Sequence, residues 1–209
     1  MRDELSSSIH SDDFGGSSHV QAIVETSPSN AGATWQGQWS SEADTVAFAT
    51  RLAASPSIAN ATFTLHGDLG AGKTTFVRHL LRALGVQGRI KSPTYAVVEP
   101  HEALPCALMP AGKPLRIWHF DFYRFTDPRE WEDAGFRELF ASPGLKLVEW
   151  PERAAGHLPP IDAELHLQTL DMPHTQTPDL EDDIAPARSV AFHAKSPVGQ
   201  QLLADLNAR

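Results

Sequence analysis

A chain of 209 residues with 41% hydrophobic content suits one packed domain with appendages, and a net charge of −9 argues against a broad nucleic-acid-binding face, which would be basic. The single cysteine, Cys106, excludes an internal disulfide and gives no zinc spacing, as fits a reducing compartment. There is no run of 18 apolar residues, and the start Met1-Arg2-Asp3-Glu4 is acidic without an apolar h-region, so a soluble cytoplasmic protein is expected, with neither membrane nor DNA as partner.

Residues 1–34 are rich in Ser, Gly, His and Asp and are expected to form a disordered arm, because they bury too little apolar surface to offset ordering entropy. The remainder, 35–209, is expected to be one domain. Ser41 with Asp44 has the spacing of a capping box, and Val46, Ala49, Leu52 and Ala53 form one apolar face of a helix. Ala61-Thr62-Phe63-Thr64-Leu65-His66 is short, apolar and β-branched, a buried strand. Gly67-Asp68-Leu69-Gly70-Ala71-Gly72-Lys73-Thr74-Thr75 follows at once and matches G-x-x-x-x-G-K-[ST]. Phe76, Val77, Leu80, Leu81 and Leu84 then recur at helical spacing, with Gly85 as a stop.

Strand, glycine loop and helix in that order make a phosphate-binding site. Glycines admit positive φ, which turns backbone N–H groups inward as an anion nest, and the helix N-terminus adds positive potential. The Lys73 ammonium reaches β- and γ-phosphates, and the Thr74 hydroxyl completes a Mg²⁺ shell. The expected cofactors are therefore ATP, or another nucleoside triphosphate, and Mg²⁺. Arg78, Arg82, Arg89 and Lys91 around this helix read as a solvated face.

Beyond Gly85, Ala96-Val97-Val98-Glu99 is a short strand, and 100–114, with its prolines and glycine, a long surface loop. In the strand Leu115–Asp121, alternation places His119 and Asp121 on one face with Leu115 and Ile117. Asp127-Pro128 starts a helix expected to run to about Phe140. Gly144–Pro151 is a buried strand whose acid, Glu149, stands where a second metal-binding carboxylate belongs. Two alternating stretches, Ala163–Thr169 and Ser189–His193, flank a polar, proline-rich loop at 171–187, and a helix over about 197–206 closes the chain.

Four stretches resemble the TsaE family, also called YjeE: Gly67–Thr75, Lys91-Ser92-Pro93-Thr94-Tyr95, His119-Phe120-Asp121-Phe122-Tyr123-Arg124 and Leu147-Val148-Glu149-Trp150-Pro151-Glu152. They occur in order and with compatible spacing across about residues 40–209. The resemblance implies an α/β fold, a single P-loop NTPase-like domain with a mixed parallel and antiparallel sheet flanked by helices. It implies an ATPase working with TsaB and TsaD, which form N6-threonylcarbamoyladenosine beside the anticodon of ANN-reading tRNAs, so that tRNA is met indirectly through the complex.

By that resemblance Lys73 and the amides of Leu69, Gly70, Ala71, Gly72, Lys73 and Thr74, with Thr75 beside them, hold the phosphates, while Thr74 and Glu149 serve the metal. Asp121 is the aspartate needed for hydrolysis, positioning water or completing the metal's outer shell. Ser92–Tyr95 is a switch-like segment in which Thr94 senses the γ-phosphate. Trp150 stands close to the nucleotide, either stacked on the base or packed on a partner or the core, and Glu42 or Thr45 lines the adenine pocket. Arg124 and Arg153 are candidate transition-state cations or surface ion pairs. The arm lies outside the family pattern, and the loops at 100–114 and 171–187 are longer than the family needs. A small-molecule P-loop kinase is the alternative, and it lacks the arginine-rich lid such an enzyme needs. A nucleotide-dependent binding switch with negligible turnover is the third reading, and Asp121 and Glu149 speak against it.

Overall fold

The computed structural model describes residues 33–170 and 186–208. Apart from their last residues, the arm expected at 1–34 and the loop expected at 171–187 lie outside them. Seven strands form one sheet: β1 (Thr34–Trp39), β2 (Thr62–His66), β3 (Val98–Ala103), β4 (Leu115–Asp121), β5 (Leu145–Glu149), β6 (Ala163–Thr169) and β7 (Arg188–Ala194). Their spatial order is β1-β7-β6-β2-β5-β4-β3. The central β6, β2, β5 and β4 run parallel, whereas β1, β7 and β3 join antiparallel at the edges. The mixed sheet with flanking helices is the expected α/β architecture.

Helices α1 (Glu42–Ala53), α2 (Lys73–Leu84) and α5 (Pro197–Asn207) contribute their apolar faces to one core cluster. The capping box at Ser41 and Asp44 is formed, with both reciprocal bonds present. α2 buries Phe76, Val77, Leu80, Leu81 and Leu84, and Gly85 ends it in the left-handed region, where glycine pays no Cβ penalty. A second, aromatic cluster on the opposite face of the sheet joins Phe120 and Val148 to Trp131, Phe136 and Phe140. That division confirms the alternation along β4, since Leu115 and Ile117 belong to the first cluster and Phe120 to the second.

The structure corrects several expectations. β1 begins at Thr34, inside the expected arm, and buries Trp35 and Trp39 against Phe48 with ring centroids 5.0 and 5.3 Å apart. Residues 100–103, expected in a loop, extend β3, and Ala96 and Val97 stand outside it. Pro100 is tolerated because β3 is an edge strand whose one strand partner is β4, its isolated bridge to Val86 falling at Ala103 instead. The helix expected from Asp127 to Phe140 is two short ones, α3 (Glu130–Asp133) and α4 (Phe136–Ala141), separated at Gly135 with φ +70°. Asp127 still organises the entry: its Oδ1 accepts from Arg129 N at 2.9 Å, while Glu130 Oε1 accepts from the amides of Thr126 and Asp127. Among the described residues, no helix is long and apolar enough to cross a membrane.

Candidate nucleotide-binding site

The carboxyl ends of β2, β4 and β5 meet at one edge of the parallel core, the place where open α/β sheets hold ligands. β2 runs directly into the glycine loop, and α2 starts at Lys73 behind Gly72, whose φ of +103° suits glycine. In register, Asp121 at the end of β4 is paired with Glu149 at the end of β5, and Glu149 with Leu65 of β2. Distant segments thereby deliver two carboxylates beside the loop.

Leu69, Gly70, Gly72, Lys73, Thr74, Thr75, Asp121, Glu149 and Trp150 line one cleft of about 290 Å³, together with Ser92, Thr94 and Tyr123. Lys73 is 4% exposed, and its Nζ donates to the carbonyls of Gly67 and Asp68, the latter at 2.9 Å. The Trp150 ring lies over that ammonium, 3.9 Å from Nζ to its centroid. Trp150 adopts φ +57°, a left-handed backbone costing about 1–2 kcal/mol, as held strain at functional sites often does. Burial lowers the Lys73 pKa from its ordinary value, opposed by the charges of Glu149, Glu152, Asp121 and Asp68.

The two acids are held differently. Glu149 is 2% exposed; both its oxygens lie 2.9 Å from Thr74 Oγ1, and Oε1 lies 2.8 Å from His119 Nε2. His119 is fully buried and its Nδ1 has no partner among the described residues, which fits the tautomer whose Nε2–H donates to the carboxylate. His119 thus positions Glu149. Asp121 Oδ2 accepts from Ser92 Oγ and Thr94 Oγ1, each at 2.7 Å, and Oδ1 accepts from Tyr123 N at 3.0 Å. The segment read as switch-like is therefore tied to Asp121 by two hydroxyls.

Not every predicted residue arrives. Ala71 is buried, with its carbonyl accepting from Arg188 Nε at 2.9 Å. Glu42 is exposed and pairs with His79 of α2 at 2.7 Å, and Thr45 is buried in α1; neither lines the cleft. Arg124 stacks on Tyr95, its guanidinium carbon 4.2 Å from the ring centroid, and Arg153 sits exposed in a 3₁₀ turn at Pro151–Ala154. Neither Arg188 nor Tyr123 was expected in the cleft. Tyr123 has a signal in the sequence, its place in the His119–Arg124 stretch two residues from Asp121. Arg188 has none, because its approach to the loop depends on the register of β7.

A sequence model of the family described as threonylcarbamoyl adenosine biosynthesis protein TsaE matches residues 39–177. The chain belongs to the TsaE family. A relative from Haemophilus influenzae, named tRNA threonylcarbamoyladenosine biosynthesis protein TsaE, is 38% identical over 139 residues, 66% of this chain and 73% of its own length. Relatives of the same name from Treponema pallidum and Bacillus subtilis are 34% and 38% identical, over 51% and 46% of this chain and 71% and 54% of theirs. The crystal structure of Bacillus subtilis YdiB shares the fold, with a TM-score of 0.59 at 24% identity over 89% of this chain and 97% of that one. Lys73, Thr74, Asp121 and Glu149 all fall inside the TsaE match, whereas Arg188 lies beyond it.

Proposed function

We propose that this TsaE-family chain binds ATP with Mg²⁺ between the glycine loop and the ends of β4 and β5, and hydrolyses it in support of N6-threonylcarbamoyladenosine formation beside the anticodon of ANN-reading tRNAs, with TsaB and TsaD as partners. The observation that carries the reading is the meeting of Lys73, Thr74, Glu149 and Asp121 in one cleft. The donor set fits the metal: a threonine hydroxyl and a carboxylate are hard oxygen ligands of the kind Mg²⁺ takes. When bound, Mg²⁺ neutralises charge on the β- and γ-phosphate oxygens.

The chain's own groups do the rest. Loop amides and Lys73 bind phosphate oxygens, which compete with the Gly67 and Asp68 carbonyls for the same ammonium. His119 keeps Glu149 turned toward Thr74. Asp121 orients the attacking water and reports the γ-phosphate to the Ser92–Thr94 segment. Leu69 and Tyr95, 76% and 86% exposed beside the cleft, offer apolar surface for a partner that completes the site. With a net charge of −9, tRNA contact runs through the partners.

The test is ATP hydrolysis by the purified chain, alone and with the TsaB–TsaD pair, with and without Mg²⁺. Mg²⁺-dependent turnover that rises with the pair supports the reading. Turnover indifferent to the pair but dependent on a small phosphate acceptor replaces it with a kinase.

A further inference from the structure

On the sheet face opposite α1 and α2, the end of β2 and the middle of β6 place histidines side by side. His66 and His166 are register partners, and so are Thr64 and Glu164 one step back along the same face. The two imidazoles are stacked, 4.3 Å between centroids and 6° between planes. One ligand atom from each of His66, His166 and Glu164 lies within 4.8 Å of the others. We propose that these three side chains form a binding site for a divalent transition-metal ion, Zn²⁺ being the probe that tests it.

The donor set favours such an ion. Two imidazoles and a carboxylate with a fourth position open to water is a recognised zinc arrangement, and imidazole selects transition metals over Mg²⁺ or Ca²⁺. Metal–ligand bonds of about 2.0–2.2 Å put tetrahedral ligand atoms roughly 3.3–3.6 Å apart, so the ligand atoms need to close by about 1 Å and the stacked rings to turn until their in-plane lone pairs converge. They have room to do so, because all three are half-buried and His66 and His166 line a cleft of about 490 Å³ that gives an ion its way in.

Supporting contacts are present as well. Lys195 Nζ lies 3.2 Å from Glu164 Oε1, which leaves Oε2 turned to His166 Nε2 at 3.2 Å. His193, held through Nδ1 to Thr34 Oγ1 at 3.2 Å, stands edge-on to His166 with centroids 5.0 Å apart. Such outer contacts orient metal ligands. The charge of Lys195 works against the ion and sets an upper limit on affinity.

The experiment is calorimetric titration of Zn²⁺ into the metal-freed full chain, with Co²⁺ as a spectroscopic substitute. Because the sequence holds 10 histidines, assignment rests on variants. Wild type and His157→Asn should show the same saturable site. Glu164→Gln and His166→Asn should weaken it by about 100-fold or more, since even outer-shell partners are worth roughly 10–100-fold. If His166→Asn fails to fold, by circular dichroism, the tetrahedral Co²⁺ spectrum of wild type and its loss in Glu164→Gln decide the matter. Absence of saturable uptake, or wild-type affinity in the Glu164→Gln and His166→Asn variants, overturns the proposal and leaves a packed imidazole stack.

Discussion

The sheet face turned away from α1 and α2 is two different surfaces. Over β4 and β5 it is sealed by aromatic rings: Phe120 stacks on Phe140 at 4.7 Å and meets Phe136 edge-on at 5.4 Å, with Trp131 behind them. Over β2, β6 and β7 the same face carries His66, Glu164, His166 and His193, most of them half-buried. The sealed half lies directly behind Asp121 and Glu149, which project from the opposite face of the same strands. A dry, close-packed backing holds those strand ends rigid, and preorganised groups are what phosphoryl transfer requires of a protein. The open half keeps its polar groups accessible and able to shift. One sheet thus supports a preorganised site and an adjustable one, and burial separates them.

Substitutions in the preorganised half should have the largest effects. Lys73→Ala should lower ATP affinity and turnover together, turnover by about 100-fold or more, because the buried cation proposed to hold the phosphates is lost. Equilibrium binding and steady-state hydrolysis measure the two, and unaltered binding would contradict the role. Asp121→Asn should reduce turnover by about 100-fold while ATP affinity stays within roughly three-fold, as for a group that acts on water rather than on the nucleotide. A comparable loss of binding would reassign Asp121 to the phosphate or metal shell.

Gly67 joins the two halves. A Cβ there would lie 2.1 Å from the Leu167 carbonyl of β6, and its φ is +136°. Gly67→Ala should therefore destabilise the fold by about 2–3 kcal/mol in urea unfolding, since neither backbone can yield cheaply. Near-wild-type stability would mean that β6 moves freely against the loop, and the contrast between a rigid and an adjustable half would weaken.

The parts legible in the sequence are those whose determinants are local. Gly67–Thr75, the capping box at Ser41 and the stop at Gly85 carry their geometry within a few residues, and each stands where the spacing put it. The strand ending in Glu149 was legible from its apolar run, but the bond to Thr74 spans 75 residues and follows from sheet order, which no local pattern encodes. Pro100 hid the extension of β3, because proline reads as a loop unless the strand is known to lie at an edge. Gly135 broke the helix that the Asp127-Pro128 start was expected to carry to about Phe140. His66 and His166 stand 100 residues apart, so only the register of β2 on β6 makes them neighbours. Glu42 and Thr45 were placed by analogy without a spacing constraint, and the structure puts them on α1, facing α2 or the core.

The smallest predicted effect concerns the entry to the aromatic cap. Asp127 accepts from Arg129 through its side chain and backbone, and those bonds lower the Asp127 pKa from 3.8 to about 2. A carboxyl whose folded pKa is depressed binds fewer protons folded than unfolded between those values. Its contribution is thus complete above about pH 5 and is lost as pH falls through 3.8 toward 2. Asp127→Asn should lower the melting temperature slightly near neutrality, and the gap from wild type should narrow on acidification through that window. Arg129 is exposed and Asp127 partly so, and salt should therefore shrink the gap as well. A gap independent of pH and salt would show that α3 is held by the packing of Trp131 and Phe136 alone, making the sealed half more independent of its surface charges than the open one.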